Sequence, residues 1–281
     1  YWAHPPMYME EGCYLPLTKK LKEVVNVPVL AAGKLGNPEL ADRAVREGWA
    51  DGVSLGRPLL ADPEWVRKVR TGRKDTIRPC IGCHEACLKR IARCKPLSCA
   101  VNPAAGREKE YALKKTGKQL EVHIAGGGIA GMEAARVSAL RGHKVFLYER
   151  TGALGGHVLE GSVPDFKEDD KRLLEWYKRE MMELGVKISL NCPVTGDDMI
   201  GANPDVLFVA TGSNPILPPI PGLDVNDSRI LTTRQALLGE KELGRRVVVI
   251  GGGLVGCEMS LWLTRGGRDV TIVERLPGLM T

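Results

Sequence analysis

Aromatic side chains are scarce in this sequence, 5% of 281 residues with three phenylalanines, and long apolar runs are absent. The longest glycine-free apolar stretch is about five residues, against the ~20 a membrane helix needs, so no membrane partner is expected. The opening YWAHPPMYMEEG lacks the basic-then-apolar order of a signal peptide. An initiator methionine is also missing, and the closing VERLPGLMT reads like the interior of a domain. The chain is therefore expected to be truncated at both ends. Eight cysteines are too few for a secreted disulfide scaffold, and five of them fall between Arg78 and Pro103. That clustering points to a metal site in a reducing compartment, the cytoplasm.

What is present is unevenly placed. The formal net charge is +6, yet residues 67–118 alone hold 15 Lys and Arg against 4 Asp and Glu. A basic belt is one mark of nucleic-acid binding. This one coincides with the cysteines and carries a single aromatic residue, Tyr111. Compensation of an anionic cluster, or plain solvation, is the expected role, and nucleic acid is not an expected partner.

The pattern before the cysteines alternates in period. LPLTKKLKEVV (15–25) reads as an amphipathic helix and VPVLAA (27–32) as a short buried strand. NPELADRAVREG (37–48) reads as a helix with Asn37 as N-cap, Pro38 at its first position and Gly48 at its stop. A strand over 50–56 and a capped helix over 62–72 follow. This alternation is β/α-barrel or doubly wound architecture.

After a polar link at 106–119 the chain duplicates itself. VHIAGGGIAGMEAARVSALRGHKVFLYER (122–150) aligns without a gap to VVVIGGGLVGCEMSLWLTRGGRDVTIVER (247–275). Each copy carries G-x-G-x-x-G after a strand: Gly126, Gly128 and Gly131, then Gly251, Gly253 and Gly256. Such turns place a pyrophosphate on the free amides of a helix N-terminus. Each second strand ends in an acid, Glu149 or Glu274, suited to an adenosine ribose. Turn, strands, helix and acid together, and twice over, predict two dinucleotide-binding units of Rossmann type.

The cysteines Cys80, Cys83, Cys87 and Cys99 follow the spacing C-x2-C-x3-C-x11-C. Zinc prefers two paired knuckles, whereas three ligands from one tight loop and a single distant fourth suit a [4Fe–4S] cubane. Zinc stays open on spacing alone. Cys13, Cys94, Cys192 and Cys257 are left as ordinary thiols.

Three further stretches carry a resemblance. TGALGGHV (151–158) and PDVLFVATGSNP (204–215) are similar to segments of flavoproteins that hold FAD and a nicotinamide nucleotide in twin folds. PVLAAGKLGNPELADRAVREGWADGVSLGRPLLADP (28–63) resembles the last two βα units of the old yellow enzyme barrel. Taken in this order with the cysteine spacing, the chain resembles the 2,4-dienoyl-CoA reductase / 2-enoate reductase branch of that family. The related trimethylamine dehydrogenases, which oxidise and demethylate amines, share the layout but space the cysteines C-x2-C-x2-C. An electron-transfer subunit resembling the small subunit of glutamate synthase is a further alternative, disfavoured by the barrel segment.

The resemblance implies an α/β chain in four parts: the end of an FMN-binding (β/α)8 barrel (1–72), a cluster segment and linker (73–119), part of an FAD domain (120–215) and part of an NAD(P) domain (216–281). It implies FMN at Gly33, Lys34, Gly56 and Arg57, and FAD at the first glycine turn with Glu149, Arg150, Gly155, Gly156, Thr211 and Gly212. The second turn and Glu274 would take NAD(P)H, with NADH favoured because Glu274 repels a 2′-phosphate; Arg246 and Arg275 keep NADP(H) open. His157 stands where many relatives carry Gln. By the same resemblance NAD(P)H passes a hydride to FAD, single electrons cross the cluster to FMN, and FMN reduces an activated alkene of a small α,β-unsaturated substrate. The proton donor is expected before Tyr1, with His4 and Tyr8 as candidate pocket residues, and a homo-oligomer is compatible with the family.

Overall fold

The structure, a computed structural model, describes residues 4–224 and 226–280. Its first part alternates helix and strand. Helix α1 (Leu15–Lys22) leads to β1 (Leu30–Ala31), α2 (Pro38–Arg46), β2 (Gly52–Val53), α3 (Arg57–Ala61) and α4 (Trp65–Arg70). α2 starts where capping chemistry dictates: the Asn37 side chain accepts the amides of Glu39 and Leu40 at 3.0 and 3.2 Å, and Pro38 fills the first turn. β1 and β2 pair in parallel, Leu30 beside Gly52 and Ala31 beside Val53.

Both strands are shorter than the apolar runs that announced them, because only two residues of each have a partner strand. The helix expected over 62–72 starts later, at Trp65. Asp62 instead ties three elements together, accepting from the amide of Glu64 (3.0 Å), from Lys68 (2.7 Å) and from the amide of Arg78 (2.8 Å). The turn before it winds into α3, which the pattern did not announce.

The cysteine segment holds a 3-10 turn at Lys74–Thr76 and one short helix, α5 (Leu88–Ile91). Beyond it come β3 (Glu121–Ala125), α6 (Ile129–Leu140), β4 (Lys144–Tyr148), α7 (His157–Gly161), α8 (Glu168–Glu183), β5 (Lys187–Ser189), α9 (Gly196–Gly201) and β6 (Val206–Val209). The four strands form one parallel sheet in the order β5-β4-β3-β6. The strand order reverses at β3, and in such sheets the crevice at the carboxyl ends beside the reversal is where ligands bind. Helix α10 (Thr233–Leu237) then precedes β7 (Arg246–Ile250), α11 (Leu254–Arg265) and β8 (Asp269–Val273), a second parallel pair with Arg246 opposite Asp269 and Ile250 opposite Val273.

The largest core lies between the four-stranded sheet and its helices, built on Val122, Ile124, Met132, Leu147, Leu173 and Met181. It extends into the earlier segments: Ala61 and Val101 belong to it, and Cys80, Ile81 and Cys99 pack against it. Helix α8 makes the join. Its Trp176 is buried, donates from its indole to the Thr76 carbonyl at 3.0 Å, and stacks under the Arg78 guanidinium at 4.5 Å. Arg78 in turn donates to the carbonyl of Val101 at 2.9 Å. The most deeply held cation of the basic belt therefore ties the cysteine segment to α8.

Replacement of Trp176 by alanine is expected to cost about 3–5 kcal/mol, the usual range for a buried tryptophan. Denaturant unfolding measures it, with the loss shared by the cysteine segment as well as the sheet.

Candidate functional site

The two glycine turns fold alike. Gly126 has φ +110° and Gly251 φ +104°, and each opens a helix whose cap is the second glycine, Gly128 or Gly253. A Cβ at Gly131 would stand 1.9 Å from the Gly126 carbonyl oxygen, and one at Gly256 would stand 1.9 Å from that of Gly251. The third glycines are thus demanded by packing. The second are not: a Cβ at Gly253 meets no atom within 4 Å, and at Gly128 only Cα of Gly156, at 3.8 Å. Both have ordinary extended backbone, so what their missing side chains leave clear is the approach to the helix N-terminus. That is the cradle a pyrophosphate requires.

The acids sit beneath the turns. Glu149 accepts from the amide of Gly127 at 2.7 Å, and Glu274 accepts from that of Gly252 at 2.6 Å. Glu149 is buried and also accepts from the amide and hydroxyl of Thr151, both at 2.8 Å. Burial pushes its pKa up, but these hydrogen bonds outweigh the effect and hold it below the ordinary value. The amides of Leu276 and Gly252 likewise hold half-buried Glu274 below the ordinary value. Both acids are therefore ionised acceptors at neutral pH. Arg150 is exposed beside Glu149.

Gly155 and Gly156 lie against the first turn, Gly155 bridging to Gly128 and donating its amide to the Gly127 carbonyl at 2.9 Å. Thr211 and Gly212 are exposed on the return from β6, directly after Ala210, whose carbonyl would stand 2.2 Å from a Cβ at Gly126. His157 spans α7 and this return: Nδ1 lies 2.6 Å from a Glu160 carboxylate oxygen and Nε2 3.0 Å from the Ser213 carbonyl, an arrangement in which the protonated ring donates to both. With acceptors at both ring nitrogens, Glu160 first, its pKa is raised. Glu160 also pairs with Arg234 of α10 at 3.2 Å.

Gly33, Lys34, Gly56 and Arg57 converge on one cavity of about 410 Å³ at the carboxyl ends of β1 and β2. Gly33 needs its φ of +101°, and a Cβ there would strike the Tyr14 ring at 2.5 Å. A Cβ at Gly56 would meet nothing within 4 Å. The Lys34 side chain is held by groups of the chain itself. Its ammonium donates to the carbonyls of Met7 (3.2 Å) and Met9 (2.8 Å) and pairs with Asp169 at 3.1 Å. All three protons are engaged, so Lys34 offers the turn its backbone and not a free charge.

His4 lies in the cavity wall, but Tyr8 does not. The Tyr8 hydroxyl donates to Glu258 of α11 and its ring packs on Phe166 at 5.3 Å. Sequence reasoning also missed two wall residues from α8, Asp169 and Arg172. Nothing local marks them, since they reach the cavity through tertiary packing.

Cys80, Cys83, Cys87 and Cys99 line one small pocket. Ser98 closes the loop, its amide and hydroxyl both donating to the Ala86 carbonyl at 2.9 and 3.1 Å, which returns Cys99 to the other three. Burial pushes the Cys80 thiol up to about 11 and raises that of Cys83. Among the described residues no three Cys, His, Asp or Glu side chains converge closely enough to hold a single metal ion. Cys94 is exposed. Between Cys83 and Cys87, His84 meets the Arg57 guanidinium through Nε2. Arg57, Leu60 and Cys80 line both this pocket and the larger cavity, forming a common wall.

Comparison with known proteins follows the same division. Residues 1–76 match the NADH:flavin oxidoreductase / NADH oxidase family, and residues 120–281 match the family described as pyridine nucleotide-disulphide oxidoreductase. Cinnamate reductase of Clostridium sporogenes is 48% identical over 274 residues, 98% of this chain and 41% of that protein. NADH oxidase of Thermoanaerobacter brockii is 39% identical, over 96% of this chain and 42% of that protein. The solved structure of a 2-naphthoyl-CoA reductase with 2-naphthoyl-CoA superposes with a TM-score of 0.91 at 31% identity, covering 98% of this chain and 42% of that one. The chain thus spans about two fifths of the length of these relatives. No described helix is long and apolar enough to cross a membrane.

Two outcomes are expected here. Gly256→Ala should destabilise the fold by about 1–3 kcal/mol, the range for overpacking, whereas Gly253→Ala should leave thermal unfolding unchanged and weaken nicotinamide nucleotide binding measured by calorimetry. An NMR titration of the His157 ring should give a midpoint above the ordinary 6.5, brought back toward it by Glu160→Gln. Because the folded value is raised, the His157–Glu160 contact is at full strength below pH 6.5 and is lost as pH rises through the folded value.

Proposed function

Because the chain belongs to the NADH:flavin oxidoreductase family, in the branch joined to a pyridine nucleotide-disulphide oxidoreductase part, we propose that the full-length protein reduces an activated C=C bond with NAD(P)H. The substrate class is a small α,β-unsaturated acid or thioester, as the names of the similar cinnamate and 2-naphthoyl-CoA reductases indicate. When bound, FAD, a [4Fe–4S] cluster and FMN supply the conversion between paired and single electrons.

The observation that carries this reading is the common wall of Arg57, Leu60 and Cys80. Four cysteines lining a pocket behind that wall suit a centre that exchanges electrons with whatever the cavity holds. A zinc ion there would be redox-inert.

This chain's own residues then have defined tasks. Gly128 and Gly253 keep two helix N-termini clear for pyrophosphates, while Gly155 and Gly156 hold the returning loop against the first. Glu149 and Glu274 orient the turns and accept ribose hydroxyls as carboxylates. The ionised Glu274 repels a 2′-phosphate, which favours NADH. Gly33 and Gly56 open backbone amides to the FMN phosphate and Arg57 supplies charge beside them. Cys80, Cys83, Cys87 and Cys99 supply the thiolates.

In the full-length protein, Cys83→Ser or Cys99→Ser should leave reduction of FAD by NADH within a few-fold of its original rate. Arrival of electrons at FMN should be abolished. Anaerobic stopped-flow absorbance resolves the two half-reactions, and an equal loss of both would mean that the cysteines only support the fold.

A further inference from the structure

We propose that His84, on the cysteine loop, is a positioning residue for the flavin phosphate: it holds the Arg57 guanidinium from the thiol side and turns it toward the cavity. The inference rests on the reading above that this cavity takes FMN.

Arg57 lines both the cavity and the thiol pocket, whereas His84 stands in the wall of the thiol pocket and not in that of the cavity. The two meet through Arg57 Nη1 and His84 Nε2. A guanidinium has donors only, so the contact makes Nε2 the acceptor and puts the ring proton on Nδ1. The Pro5 carbonyl stands 3.3 Å from the same nitrogen; it could pair only with a protonated Nε2, the form that Arg57 excludes. A ring without charge leaves the cation undiminished, in contrast to Lys34, which pairs with Asp169, and to Arg172, which pairs with Glu11 and Asp169. One corner of the Arg57 fork is held and the other donors stay on the cavity side. What His84 contributes is order: an arginine side chain has several free torsions, and fixing them before the ligand arrives removes a cost of binding.

The backbone gives an independent sign. His84 has φ +61°, in the left-handed region that a residue other than glycine seldom takes. The turn between Cys83 and Cys87 requires this conformation, with the His84 carbonyl accepting from the Lys89 amide at 3.0 Å. The turn does not require the ring, since glycine takes such a backbone without strain, as Gly82 does at the same φ of +61°. A side chain standing where glycine would fit with less strain points to what the ring reaches, which is Arg57.

The test uses the full-length protein stripped of FMN. Dissociation constants for FMN, and for riboflavin, which lacks the phosphate, are measured by fluorescence quenching. His84→Gly suits the backbone and removes the ring. It should weaken FMN by about tenfold, the loss expected for one charged hydrogen bond, and leave riboflavin unchanged. His84→Phe keeps a ring without the acceptor and should do the same, which provides a second variant should His84→Gly not fold. His84→Gln, whose amide oxygen can replace Nε2 as acceptor, should recover most of the loss. Because His84 acts through Arg57, His84→Gly should change nothing further in a protein already carrying Arg57→Ala. Suppose Arg57→Ala is selective for FMN, but the His84 variants change both flavins equally or neither, or weaken FMN as much without Arg57 as with it. His84 then only supports the loop, and the inference fails with the FMN reading intact. If the unaltered protein binds FMN no better than riboflavin and Arg57→Ala changes nothing, the FMN reading of the cavity fails, and this inference with it.

Discussion

One wall organises this chain. Arg57, Leu60 and Cys80 face the glycine-turn cavity on one side and the four-thiol pocket on the other. Its position depends on tertiary ties, since the cysteine segment has almost no secondary structure of its own. Asp62 receives the Arg78 amide, Arg78 reaches the Val101 carbonyl, and Trp176 carries the stack into α8. Loosening any of these would move the thiols relative to the cavity, so the packing of α8 is part of the site.

The nucleotide turns show one physical solution used twice. A buried glutamate and a half-buried one hold the middle amide of their turns at 2.7 and 2.6 Å. The surroundings differ. Gly126 is hemmed in by the carbonyl of Ala210, while a Cβ at Gly251 would meet nothing within 4 Å. The motif is therefore self-contained, and its neighbours add constraint without creating it.

That locality explains what the sequence made legible. Positive φ at Gly126 and Gly251, the close approach at Gly131 and Gly256, and the Asn37 cap are decided within a few residues, so the letters alone reveal them. That Cys99 lines the same pocket as the other three cysteines agrees with their spacing. The neutralisation of Lys34 was not legible, because Asp169 lies far along the chain and arrives on another helix. The Tyr8 contact was hidden for the same reason: its partner Glu258 is brought in by α11. Strands β1 and β2 came out shorter than their apolar runs because a strand is defined by its neighbour as well as by its own residues. Helix α8 did carry an amphipathic signal, Leu173, Leu174, Tyr177 and Met181 on one face with Gly185 after the end. What that signal withheld was the destination of its first turn.

The central claim is that the four-thiol pocket is a redox partner of the adjoining flavin cavity. The most direct measurement is quantification of metal and flavin in the full-length protein purified without oxygen. The account predicts a brown protein with iron and acid-labile sulfide in cubane proportion, together with one FMN and one FAD per chain. A colourless protein bearing zinc in place of iron would contradict it.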